Sequence, residues 1–257
     1  ITIKSGNTTV NRFTRRPIRA LCVMHTLGHP VDLDPLEDIT KKDNLVLIED
    51  AAEALGSYYK GVHVGHRGLL GALSFNGNKI ITTGGGGAVL TNNAAIAKHA
   101  KHITTTAKLA HPWLFEHDEV AYNYRLPNLN AAVGCAQLEK LADTLHAKRL
   151  LMQKYKMAFA NVSQFSLIQE PEFAKSNYWL NALLLANADF CERDNLLKAL
   201  NQGGIMSRPL WNLQHTLPMY RDCPAMPLPV AEDLISRLIQ IPSSPQLILQ
   251  AQNELVT

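Results

Sequence analysis

Two short apolar runs fix most of what this chain can fold into. RALCVMH (Arg19–His25) and LVLIED (Leu45–Asp50) read as strands, and between them DPLEDITKKDN opens on Asp-Pro and carries helix formers. Strand, helix, strand is the unit of a parallel sheet, since only a crossover can bring the second strand alongside the first in the same direction. GALSFN (Gly71–Asn76) and GAVLTN (Gly87–Asn92) extend the strand set, and NAAIAKHAKHI (Asn93–Ile103) is predicted helical. A long helical stretch starts at Leu129, with Leu138, Leu141 and Leu145 at core-facing spacing, and continues or restarts through LLMQKYKMAF. After Asn161 the texture changes: SLIQE, YWLNALLL and IMSRPLW read as strands around the helix DNLLKALNQ. The expected fold class is α/β, with a large domain over residues 1–160 and a small C-terminal α+β domain over 161–257.

Composition narrows the function. With 257 residues, 46% of them hydrophobic, the chain can bury a sizeable core. A formal net charge of +3 is too mild to argue for nucleic acid, and the densest basic cluster, Arg12, Arg15, Arg16 and Arg19, reads as solvated surface. No apolar run is long enough to span a membrane, and the opening ITIKSGNTTVNRFTRR lacks the apolar centre of a signal peptide. The four cysteines, Cys22, Cys135, Cys191 and Cys223, lie far apart without a CxxC pair, as free thiols in a reducing, cytoplasmic compartment would. His25 and His29 are four apart, but Gly28 and Pro30 break the helix that a paired metal site would want, so no metal is expected.

The chemistry concentrates in SFNGNKIITTGGGG, where Lys79 stands between an apolar strand and four glycines. Ligands of open α/β sheets collect at the carboxyl ends of the strands, and Asp50 ends one of them. An acid there can simply cap the next helix. An acid and a lysine at converging strand ends also suit a cofactor with a cationic ring nitrogen at one end and an aldehyde at the other. Pyridoxal 5'-phosphate has that chemistry: a lysine forms its Schiff base and an acid partners its pyridinium nitrogen.

Three segments in this order, LIEDAAEALGSYYKGVHVG, GALSFNGNKIITTGGGGAVLTN and YNYRLPNLNAAVGCAQLEKL, resemble the DegT/DnrJ/EryC1/StrS family of sugar aminotransferases. HTLGHPVDLDPL and LIQIPSSPQL carry the resemblance over nearly the whole chain. It is closest to the branch that aminates C4 of nucleotide-linked 4-keto-6-deoxy sugars, as in legionaminic-type or bacillosamine-type pathways. The resemblance implies a fold-type I transferase with a three-layer α/β/α large domain, and amino transfer from glutamate to a nucleotide-linked keto sugar in cell-surface polysaccharide biosynthesis. It implies a homodimer with a shared active site.

On this resemblance Lys79 is the Schiff-base lysine and proton shuttle, and Asp50 pairs with the pyridinium nitrogen. Ser74 donates to the cofactor phosphate, and Asn123 reaches the phosphate of a neighbouring subunit. Glu53 occupies the place of a residue set against the phenolic oxygen, where an ionised carboxylate would repel a phenolate. Arg125 is a candidate for the sugar nucleotide's diphosphate or for an interface salt bridge. His25 is a candidate for the substrate pocket or for a hydrogen-bonded structural role. Arg208, Trp211 and His215 belong to the part that closes over substrate in the family. The family's dehydratase branch has histidine where Lys79 stands, so the lysine implies transamination.

Family members carry a further N-terminal segment that nothing here matches, so the large domain is expected to be incomplete and to leave an apolar edge and face uncovered. Two other readings stay open. One is a catalytically incomplete remnant that dimerises or binds a nucleotide sugar without turnover. The other is a nucleotide-binding Rossmann domain, for which the glycine run lacks the GxGxxG pattern.

Overall fold

The computed structural model describes residues 2–6, 8–187 and 189–248. β1 (Thr2–Ser5) and β2 (Thr8–Asn11) make an N-terminal hairpin. β3 (Ala20–Met24), α1 (Leu33–Asp43) and β4 (Val46–Asp50) then form the expected parallel unit. β5 (Tyr58–Tyr59) and β6 (Val62–His63) are a short excursion, after which β7 (Leu70–Ser74) joins β4 in parallel. β8 (Gly87–Leu90) returns antiparallel to β7, so the main sheet has the order β3-β4-β7-β8. Helix α1 begins at Leu33, just before the Asp-Pro pair. Asp32 stands at its N-cap, but the Asp32 carboxylate is taken by the Tyr59 hydroxyl (2.7 Å) instead of capping the helix.

One face of this sheet packs, and the other does not. Period-2 alternation sends Val23, Leu47 and Glu49 to the α1 side, where Leu33, Ala54, Tyr59 and Val64 complete the core. The opposite face carries the cross-strand row Met24, Asp50, Ala72 and Val89, with Met24 50% and Val89 58% exposed. The α1 side of the sheet is thus packed, while Met24 and Val89 stand exposed on the opposite side.

Three helices follow: α2 (Ala94–Thr104), α3 (Asn128–Glu139) and α4 (Leu141–Ala158). Asn93 caps α2 through its side-chain oxygen, which accepts from the Ala95 and Ile96 amides. The expected long helix is broken at Lys140, and the break resets the helical phase. Leu141 and Leu145 pack against Ile80, Ile81 and Trp179, whereas Leu138, expected to face the core, is half exposed.

β9 (Phe165–Leu167), β10 (Ala174–Lys175), β11 (Asn181–Leu185), α5 (Phe190–Gln202), β12 (Arg208–Pro209), α6 (Pro229–Arg237) and β13 (Leu238–Ile241) follow. Four of these strands form an antiparallel sheet, β12-β13-β11-β9, over a core of Leu183, Leu185, Leu197, Ile239 and Ile241. Residues 249–257 of the expected small domain lie outside the described residues. β10 instead pairs with β5, so the stretch around residues 170–179 is stitched to the first half of the chain. Arg149 reinforces that seam with a paired contact to Glu170 (2.7 and 2.8 Å) and a bond to the Ser176 carbonyl (2.8 Å). The cysteines are free and exposed, and no described helix is long and apolar enough to cross a membrane.

Candidate active site

The carboxyl end of β4 carries two adjacent acids that alternation separates. Glu49 turns into the core, fully buried, and its oxygens accept from the amides of Gly65 (2.7 Å), Arg67 (2.8 Å) and Gly68 (2.6 Å). Burial pushes its carboxyl up, but the bonds from His25, Gly68 and Gly65 outweigh burial and hold it below the usual range. Asp50 turns to the open face, half-buried, where its Oδ1 accepts only the Ala52 amide (3.0 Å) among the described bonds.

His25 belongs to the Glu49 side of this division. It is fully buried, with Nε2 3.1 Å from Glu49 and Nδ1 accepting the Val31 amide at 3.2 Å. Both ring nitrogens are spent on protein partners, an arrangement that favours the hydrogen-bonded structural role over a place in the substrate pocket. The β3–β4 pairing leaves His25 beside Glu49, the inward-facing acid of the two that end β4.

Beyond β4 the chain turns so that Glu53 comes back over the end of the sheet. Its Oε2 accepts the Leu27 amide (2.7 Å), and Leu27 adopts a left-handed backbone (φ 58°). Its Oε1 lies 3.9 Å from Lys79 Nζ. Burial raises the Glu53 carboxyl, against the Leu27 amide and the Lys79 charge. Lys79 comes from the turn after β7, its amide bonded to the Asn76 carbonyl (3.0 Å). Burial lowers its amine below the ordinary lysine value, while Glu53 and Asp50 pull it upward. A lysine that loses its proton more readily than usual, beside two carboxylates at a strand end, is equipped to attack an aldehyde and to carry protons.

Ser74, at the end of β7, directs its hydroxyl oxygen to the Asn76 amide at 3.3 Å. Asn123 lies on an exposed segment bridged to Thr105, and Arg125 beside it is exposed. No hydrogen bond or ion pair among the described residues joins either of them to Lys79 or Asp50. Arg125 instead lines a groove of about 920 Å³ on the open face, walled by the Gly84–Gly87 run, Ala72, Val89 and Ala97. That groove starts one strand from Asp50, since Asp50 and Ala72 are register partners. Glycine and alanine are prominent in its walls beside Lys101, Tyr124 and Arg125, and Lys79 is not among them.

The glycine run has a definite steric basis at two points. A side chain on Gly87 would meet the Leu73 carbonyl at 2.2 Å, and Gly86 sits at φ +85° with Leu126 against it. Elsewhere His102 lies close to Asp118 and Glu119, where its Nε2 is already paired with Asp118 at 2.6 Å.

Sequence reasoning overlooked Trp179 as a site residue. Lys79 Nζ lies 4.0 Å from the centroid of the Trp179 ring, and Trp179 Nε1 donates to the Asn78 carbonyl (2.6 Å). The only local signal was an aromatic pair at the head of a strand-like run, which says nothing about a partner 101 residues away.

The parallel sheet closed by one antiparallel strand belongs to the fold-type I architecture of the pyridoxal-phosphate-dependent sugar aminotransferases. Residues 2–257 match the DegT/DnrJ/EryC1/StrS aminotransferase family, and the chain belongs to that family. It is 39% identical over 232 residues to the GDP-perosamine synthase of Escherichia coli O157:H7, covering 89% of this chain and 61% of that protein. It is 35% identical over 190 residues to a UDP-4-amino-4,6-dideoxy-N-acetyl-beta-L-altrosamine transaminase of Campylobacter jejuni, covering 73% of this chain and 50% of that one. Among solved structures, Helicobacter pylori PseC, an aminotransferase of pseudoaminic acid biosynthesis, superposes with a TM-score of 0.86 at 25% identity. That match covers 92% of this chain and 64% of PseC. The chain spans about three fifths of the length of the first of these relatives.

Proposed function

We propose that the protein is a pyridoxal-phosphate-dependent aminotransferase that moves an amino group from glutamate to C4 of a nucleotide-linked 4-keto-6-deoxy sugar, for polysaccharide biosynthesis. The observation that carries this reading is the Lys79 amine, stripped of much of its water and set 3.9 Å from Glu53 on a chain of this family. The donor set fits the cofactor: an amine for its aldehyde, the Asp50 carboxylate for its ring nitrogen, and the Ser74 hydroxyl for its phosphate. When bound, the cofactor supplies an electron-withdrawing ring that acidifies the carbon bearing the amine. Lys79 takes and returns the proton at that carbon. Asp50 keeps the ring nitrogen protonated, and Glu53 holds a proton or a charge beside the amine according to its own raised titration.

Asn123 and Arg125 enter the reading through a second copy of the chain. Both stand exposed on a segment separate from Lys79, where they can serve a neighbouring subunit's phosphate and the sugar nucleotide's diphosphate. The compartment is the cytoplasm, and the division into domains 1–160 and 161–257 is kept, with β10 as the stitch between them. The name of one relative, a UDP-4-amino-4,6-dideoxy-N-acetyl-beta-L-altrosamine transaminase, supports a 4-amino sugar product.

The test is the visible spectrum of the purified chain with added pyridoxal phosphate, followed by borohydride reduction and peptide mapping. A yellow protein with the reduced adduct on Lys79 is expected. An adduct on another lysine would overturn the assignment. The exposed Met24–Val89 face favours a second reading, a chain that binds a nucleotide sugar or dimerises without turnover. That reading predicts sugar-nucleotide binding with no colour and no trapped adduct.

A further inference from the structure

Trp179 comes from the second half of the chain, yet it is built into the Lys79 turn. Its indole Nε1 is bonded to the Asn78 carbonyl at 2.6 Å, the residue immediately before Lys79. Its own amide donates to Asn177 Oδ1 at 2.7 Å, and its carbonyl accepts the buried Lys148 ammonium at 3.0 Å. Asn177, fully buried, uses its Nδ2 to hold the carbonyls of Glu53 (2.8 Å) and Leu55 (2.9 Å). Between them Tyr178 is held in the left-handed region at φ 50°, a conformation that a non-glycine residue keeps only when its surroundings over-determine it. Trp211, 57% exposed, lies parallel to Trp179 with ring centroids 6.0 Å apart. The indole is thus fixed from several sides before anything binds.

We propose that Trp179 is the seat for the free ammonium of Lys79, a positioning residue that holds the amine whenever it is not bonded to the cofactor. This rests on the reading of Lys79 as the cofactor lysine. A lysine that must leave and return needs a resting place that holds its charge without fixing its N–H directions. A close salt bridge would fix them, but Glu53 stands off at 3.9 Å. The face of an indole attracts a cation through the ring quadrupole and imposes no donor geometry. The charged groups that bear on Lys79 are Glu53 and Asp50, both of which stabilise the protonated amine, so the indole adds to them in the same direction.

The proposal is tested on the full chain without added cofactor. Trace acetylation across pH, read peptide by peptide, gives the midpoint at which Lys79 becomes reactive in the wild type, Trp179→Phe and Trp179→Met. Losing the ring's attraction should lower that midpoint by roughly 0.5–1 pH unit in Trp179→Met. Trp179→Phe keeps an aromatic face and should recover part of the shift, which a purely packing role would not produce. An unchanged midpoint in Trp179→Met overturns the proposal. Should that variant fail to fold, the wild-type tryptophan emission decides: it should titrate with the Lys79 midpoint and lose that component in Lys79→Met, and a titration unaffected by Lys79→Met overturns the proposal equally. Borohydride mapping of the wild type separates the two readings. An adduct on another lysine removes the functional assignment, whereas an adduct on Lys79 with no midpoint shift removes only the role of Trp179.

Discussion

Glu53 and Lys79 face each other at 3.9 Å, and the same burial displaces both: the carboxyl upward, the amine downward. Each charge partly offsets the displacement of the other. Glu53→Gln removes the nearer of the two carboxylates that hold a proton on Lys79 but keeps an oxygen for the Leu27 amide. The Lys79 midpoint should then fall by about one pH unit, raising the reactive neutral amine roughly tenfold below that midpoint. The rate of Schiff-base formation with pyridoxal phosphate against pH measures it, and a profile identical to the wild type would show that the pair is not coupled.

Asp50→Asn separates chemistry from folding. Among the described bonds the Asp50 side chain accepts only the Ala52 amide, which an asparagine oxygen can also accept. A carboxylate close to a ring nitrogen biases it toward the protonated form by roughly 1–3 pK units, about 1.4–4 kcal/mol. Transamination should fall on the order of tenfold to a thousandfold while the melting temperature stays within a few degrees. A variant with full activity would remove Asp50 from the site.

Lys148 is a buried charge held by backbone carbonyls alone among the described bonds. Its ammonium donates to the carbonyls of Tyr178 (3.3 Å), Trp179 (3.0 Å) and Ser243 (2.7 Å), and burial lowers its pKa to about 8. Lys148→Met fills the space but leaves three carbonyls without that donor. Unsatisfied buried groups cost about 1–3 kcal/mol each, less where neighbours relax, so a loss of roughly 2–5 kcal/mol is expected in denaturant unfolding. A loss under about 1 kcal/mol would mean that water replaces the ammonium.

The sequence made the local elements legible and left the long-range contacts obscure. β3, α1, β4, β7 and β8 carry their own periodicity, and Asp50 and Lys79 were visible because strand ends and glycine turns are local signals. His25 carried no such signal: whether a histidine after a strand meets solvent or Glu49 depends on the register of β3 against β4. Leu138 was misplaced because a one-residue break at Lys140 leaves no mark in the leucine spacing. Trp179, Asn177 and Lys148 were missed for a common reason. Each is defined by partners 30 to 124 residues distant, and no short pattern encodes which strand end a distant side chain will reach.

His29 sets an acid limit on stability. Its ring stands edge-on to Tyr178 at 5.3 Å, its Nδ1 is buried without a partner among the described residues, and burial lowers its pKa to about 4 despite the attraction of Glu170. The folded protein therefore keeps His29 neutral at a pH where the unfolded chain, titrating near 6.5, has already taken up a proton. The stability tied to this residue is complete above about pH 6.5 and is lost progressively as the pH falls toward 4. The span of about 2.5 pK units corresponds to roughly 3 kcal/mol. His29→Phe keeps an aromatic edge for Tyr178 and removes the titration, so its stability should fall less between pH 7 and pH 4, by about that amount, than the wild type's. Urea unfolding of both proteins at the two pH values measures the difference. Parallel pH profiles would place the acid sensitivity in other groups and return His29 to an ordinary packing role.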